Sequence, residues 1–159
     1  MTTDQLTCEQ RVDSELEGTL VDILKLWNMK YDNPDAEDYE LGTLADYGLG
    51  FDYVAPHTFE DQDTGYFRWL LSSGGPSDEF RFYASPTPHG WVVNQIEYWF
   101  LNWFDGAHRE LHAKDKTLLV NIFNDFNSMG TTQYEYELAM KDYEPDPTDF
   151  TDEDAYNGN

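Results

Sequence analysis

Gly65-Tyr66-Phe67-Arg68-Trp69-Leu70-Leu71-Ser72-Ser73-Gly74-Gly75-Pro76-Ser77-Asp78-Glu79-Phe80-Arg81-Phe82-Tyr83-Ala84 is the stretch that decides the fold. Residues 72–77 are the strongest turn signal in the chain, because glycine opens backbone conformations closed to other residues and proline fixes φ. After the turn the pattern alternates, with Phe80 and Phe82 on one side and Arg81 and Tyr83 on the other. That period of two marks a half-buried strand. Before the turn, residues 65–73 are aromatic and apolar, as a strand in the same sheet would be. The reading is two antiparallel strands joined by a hairpin.

Working outward, Pro86, Pro88 and Gly90 make a second connection. Residues 91–104 follow as a third, aromatic strand, with Val92, Ile96, Tyr98 and Phe100 assigned to one face. Residues 65–104 thus read as a three-stranded meander, and residues 51–58 as a short strand broken by Pro56. Upstream, Val12, Leu16, Leu20, Ile23, Leu24 and Trp27 recur at three- and four-residue spacing and predict a helix over 9–30. Asn33-Pro34 looks like a cap and first-turn proline, which predicts a second helix to about Tyr47, with Tyr39, Leu44 and Tyr47 inward. Downstream, Asp115 reads as the N-cap of a helix whose apolar face is Leu118, Leu119, Ile122, Phe123 and Phe126, ended by Gly130. The pattern over 131–140 fits a strand or a short helix equally. The class is α+β: an antiparallel β-meander of about three strands packed with N-terminal helices and one C-terminal helix. Residues 1–141 form one acidic domain. Residues 142–159 hold two prolines and seven acids and read as a disordered tail.

The segments LLSSGGPSDEFRF (70–82) and EYWFLNWF (97–104) resemble a family of small uncharacterised proteins of phages, plasmids and other mobile elements. The similarity covers the middle third to half of the chain, and its most specific part is the Gly-Gly-Pro turn between two strands. It implies a small α+β fold and a mobile-element context. It implies no catalytic activity and carries no functional residue over. Mobile elements often encode small acidic proteins that block host restriction or CRISPR enzymes, so the resemblance connects the charge of this chain to a function by association.

That charge is extreme. The chain has 32 Asp and Glu against 9 Lys and Arg, a formal net charge of −23 on 159 residues. Self-repulsion of this size opposes folding and calls for a reason. The load is uneven: residues 1–63 carry 16 acids and 3 bases, residues 64–130 carry 7 and 5, and residues 131–159 carry 9 and 1. A near-neutral centre is flanked by acid. Nucleic acid and anionic lipid are both repelled by such a surface, so neither is a direct partner. The N-terminal residues show no signal-peptide pattern and no apolar run reaches the length of a membrane span, which points to a cytoplasmic protein. One cysteine, Cys8, excludes an internal disulfide.

Motifs for chemistry are missing where they would be needed. His108 and His112 sit four apart, a spacing that would align two imidazoles on a helix and, with Asp105 or Glu110, could hold a divalent metal, but a clear third and fourth ligand are lacking and two exposed histidines are the reading kept. The Gly74-Gly75-Pro76 run lacks the lysine and hydroxyl of a phosphate loop. No serine stands in a nucleophile-elbow frame. Arg68 and Arg81, set in the meander among acids, read as structural ion-pair residues. No catalytic residue, metal or cofactor is predicted, and an enzyme is disfavoured.

The function class that remains is binding. Carboxylates on the N-terminal helices would stand in for phosphates and occupy the basic groove of a host nucleic-acid-binding protein or complex. The residues assigned to this surface are Glu9, Asp13, Glu17, Asp22, Asp35, Glu37 and Asp38. The set Trp91, Tyr98, Trp99, Phe100, Trp103 and Phe104 is too dense for one core face, so part of it is exposed; Trp99 and Trp103 are added as contacts of a partner or of a homodimer. The alternative is adaptation to high salt, or a general protein–protein interaction module without mimicry. Clustering of the acid at the two flanks argues against whole-surface salt adaptation.

Overall fold

The computed structural model describes residues 6–144. Its elements in chain order are α1 (Cys8–Asp32), β1 (Gly50–Val54), β2 (Tyr66–Ser72), β3 (Ser77–Thr87), β4 (Gly90–Asn102), β5 (Asp105–Glu110), α2 (Ala113–Ser128) and α3 (Thr131–Met140). The strands form one antiparallel sheet in the order β1-β2-β3-β4-β5. The class is α+β, with five strands where the sequence suggests about three. Among the described residues no helix is long and apolar enough to cross a membrane.

The hairpin forms where the turn residues place it, between Ser72 and Ser77, with Trp69 opposite Phe80 and Phe67 opposite Phe82. Phe80 and Phe82 are fully buried and Arg81 lies on the other face. The buried face is lined by aromatics and covered by the helices. Phe123 of α2 lies 5.5 Å from Phe67 and 5.2 Å from Phe82. Tyr136 of α3 lies 4.9 Å from Tyr53 and 4.8 Å from Trp91. Val12 and Ile23 of α1 join the same cluster. Each such side chain contributes about 1.5–3 kcal/mol by leaving water, which is what holds a chain of this charge together.

Three expectations are corrected. First, Val92 is exposed, not inward. Pairing shifts between Tyr83–Gln95 and Ala84–Val93, leaving Asn94 as an extra residue in β4. A bulge of one residue reverses the alternation beyond it, so Trp91, and not Val92, enters the core. Second, residues 33–49 are not a helix. Asn33 ends α1, and its side-chain oxygen accepts from the amide of Asp35. The Asp38 carboxylate accepts from the amides of Glu40 and Leu41, closing a turn bridged from Asp38 to Gly42. Short polar side chains that bond their own backbone compete with helix formation, and Gly42 sits at φ 76°. Tyr39 is fully exposed, while Leu44 is buried as expected. Third, the helix expected after Asp115 begins earlier, with His112 at its N-cap position. Residues 105–110, which the sequence reading leaves unassigned, are a strand, β5, that pairs with β4 through Trp99–His108 and Phe100–Ala107. The undecided segment 131–140 is a helix. The predicted tail lies outside the described residues except for its first three.

Candidate partner-binding site

The acidic surface is organised around α1. Thr7 opens the helix with a reciprocal capping box: its hydroxyl accepts from the Gln10 amide, and the Gln10 side chain accepts from the Thr7 amide. The amide of Cys8 donates to Asp105 of β5 at 2.8 Å, which fixes the start of the helix against the sheet edge. That bond holds the Asp105 carboxyl below its ordinary range. At the other end Lys30 pairs with Asp125 of α2 at 2.7 Å. The helix that carries the acids is therefore pinned at both ends.

The predicted carboxylates divide into two groups. Glu9 and Asp13 are already engaged. Arg109 of β5 donates to Glu9 at 2.5 and 3.3 Å and to Asp13 at 2.9 Å. Asp38 is engaged as well, by Lys25 at 2.7 Å and by two backbone amides. Those contacts, the lysine first, hold its carboxyl down at about 2. By contrast Glu17, Asp22, Asp35 and Glu37 form no ion pair with any described residue. Glu17 and Asp22 share a shallow groove along α1 with Glu15. Asp35 and Glu37 are exposed on the loop beyond it, not on the helix where the sequence reading put them. All three cations of residues 1–63 are taken up internally, by Glu15, Asp38 and Asp125. The surface left over is one of carboxylates.

Trp99 and Trp103 do not form one patch. Trp99 lies on the sheet face away from the helices. The Arg81 guanidinium sits 3.8 Å from its ring centroid, and His108 stacks on it at 4.2 Å. The indole N–H donates to Glu97 at 3.1 Å. Arg81 is also held by the buried Glu79 at 2.8 Å and lies 4.7 Å from the Tyr66 ring, so it is the structural residue its surroundings suggest. Arg68 likewise forms two bonds to Asp52, at 3.0 and 2.7 Å. Trp103 and Phe104 are the two-residue tip between β4 and β5 and stand almost wholly in solvent. Trp91, Tyr98 and Phe100 are in the core.

No described cluster of three or more His, Cys, Asp and Glu side chains is arranged to hold a metal ion. His108 is on β5 and His112 precedes α2, so the two do not share a helix face. Cys8 is buried and its thiol is pushed up, chiefly by burial. Sequence reasoning missed the Arg109 clamp, because nothing in the local pattern brings residue 109 beside residues 9 and 13. It also missed the acidic loop of Glu60, Asp61 and Asp63, which borders a groove floored by Tyr66, Tyr83 and Trp99. Compared with protein-family models, curated proteins and solved structures, the chain matches none.

Proposed function

We propose that this protein is an acidic imitation of nucleic acid that inhibits a host DNA- or RNA-binding defence enzyme, of the antirestriction or anti-CRISPR type, by stoichiometric binding and without catalysis. The observation that carries the reading is the set of carboxylates along α1 and its following loop that the protein leaves unneutralised: Glu17, Asp22, Asp35 and Glu37. From Glu17 to Asp32, where the loop bearing Asp35 and Glu37 begins, α1 advances about 22 Å at 1.5 Å per residue. That is the length of about seven base pairs at 3.4 Å each. Glu17 and Asp22, five residues apart, are separated by about 7.5 Å along the helix axis. Because the helix is pinned at both ends, these charges are already ordered before the partner arrives, which favours fast, electrostatically steered association. The resemblance of the strand segments to mobile-element proteins points to the class of host enzyme such elements meet.

Charge reversal tests the reading. Glu17→Lys, Asp35→Lys and Glu37→Lys together should abolish capture of a nucleic-acid-binding complex from host lysate while thermal stability holds or rises, since each reversal relieves self-repulsion. Capture by the wild type should weaken steeply between low and physiological salt. Retention of the same complex by the reversed protein at physiological salt would overturn the proposal.

A further inference from the structure

The apolar stripe of α1 is wider than the sheet it covers. Val12, Thr19, Ile23 and Leu26 are buried in the core. Leu16 and Leu20 are only half-buried, Leu24 is 48% exposed and Val21 62% exposed. Leu16, Leu20 and Leu24 stand at i, i+4 and i+8, so they form one ridge along the helix. With Val21 and with Leu118 of α2 they line a groove of about 420 Å³ between the two helices. Asp13, Glu17 and Asp115 stand on its rim, with Lys114. Counting Glu9 and the Arg109 that clamps it to Asp13, four carboxylates face two cations there.

We infer that this groove receives an amphipathic basic helix of the partner, its apolar side on Leu16, Leu20, Leu24 and Leu118 and its Lys or Arg side chains on Glu17 and Asp115. The inference rests on the reading of α1 as a partner surface and names the element recognised there. A partly exposed ridge of leucines at four-residue spacing beside a second helix forms the kind of hydrophobic groove into which an amphipathic helix lays its apolar face. The acidic rim selects a cationic occupant. A second copy of this chain is a poor occupant, because its own acidic groove would face acid with acid. The contact also explains how a mimic of this kind discriminates: duplex DNA has no apolar stripe, and a partner that only neutralises charge gains nothing from the leucines.

The test uses the full chain and a labelled 18-residue helical peptide of Leu and Lys with apolar residues at i, i+3, i+4 and i+7 spacing, read by fluorescence anisotropy at about 0.15 M salt. An oligolysine of equal charge is the comparison. The peptide should bind at least about tenfold more tightly than the oligolysine, and the pair Leu20→Ser and Leu24→Ser should weaken the peptide at least about tenfold while leaving oligolysine unchanged. Val21→Ser, at a still more exposed position, should weaken the peptide in the same direction and guards against a folding defect in the pair. Equal peptide affinity in wild type and leucine variants, or oligolysine binding as tightly as the peptide, would overturn the inference. If Glu17→Lys still weakened both probes in that case, the acidic-surface reading would stand without the groove.

Discussion

Arg109 decides which carboxylates this protein offers. Its guanidinium spans Glu9 and Asp13, which would otherwise repel each other one helical turn apart. All three side chains reach solvent, and exposed pairs of this kind contribute little to stability. Arg109→Ala should therefore lower the melting temperature by a few degrees at most, and it should strengthen binding to a cationic probe because two carboxylates are released. A large loss of stability would show the clamp to be structural. Asp38 behaves differently. Its carboxyl titrates near 2 in the fold, against about 3.9 in an unfolded chain. A depressed folded value means stability that is present above about pH 4 and lost as the pH falls toward 2. Many other carboxylates repel one another, so the signal is a difference: wild type should be more stable than Asp38→Asn at pH 7, and the gap in melting temperature should close between pH 4 and 2. A gap constant across that window would contradict the assignment of Lys25 and the two amides as its partners.

At the level of elements, what the sequence makes legible is what repeats locally. The three- and four-residue spacing of Val12, Leu16, Leu20 and Ile23 marks α1, and the alternation of Phe80, Arg81 and Phe82 marks β3. The glycine-rich turn at 72–77 joins β2 to β3 as its residues demand. What fails is what depends on distant partners. β5, Asp-Gly-Ala-His-Arg-Glu, contains no β-branched residue, and it is a strand because the edge of β4 recruits it. Residues 33–49 carry helix-start signals in Asn33-Pro34, but the same asparagine ends α1 instead. The bulge at Asn94 is equally invisible locally, and it has a consequence. It turns Trp91 into the core, where the Asn127 side chain accepts from the Trp91 amide and donates to its carbonyl, both at 3.2 Å. Gly90, at φ 114°, leaves room for that clasp: a Cβ there would stand 2.7 Å from the Asn127 side-chain nitrogen. Gly90→Ala should thus cost about 2 kcal/mol, combining backbone strain with a damaged, partly buried pair of hydrogen bonds. Urea unfolding measures it, and a loss below about 0.5 kcal/mol would show that Asn127 moves aside freely.

For the whole molecule the uneven charge is the property most directly readable from sequence, and the arrangement of that charge is the least. Seven carboxylates can be nominated from their positions on predicted helices, yet three of them are neutralised by Arg109 and Lys25, residues whose proximity only the tertiary fold creates. Likewise the aromatic excess is evident, but its division among core, outer sheet face and hairpin tip follows from the pairing of β4 with β5. The central claim is that the remaining acid takes the place of nucleic acid on a basic enzyme. The most direct measurement is competition: the complex captured by the immobilised protein is challenged with duplex DNA and with single-stranded RNA at fixed salt. The account predicts that one of these nucleic acids displaces the complex in proportion to its concentration, and that the protein in turn displaces that nucleic acid from the complex. Simultaneous binding of protein and nucleic acid to the same complex, with neither weakening the other, would contradict it.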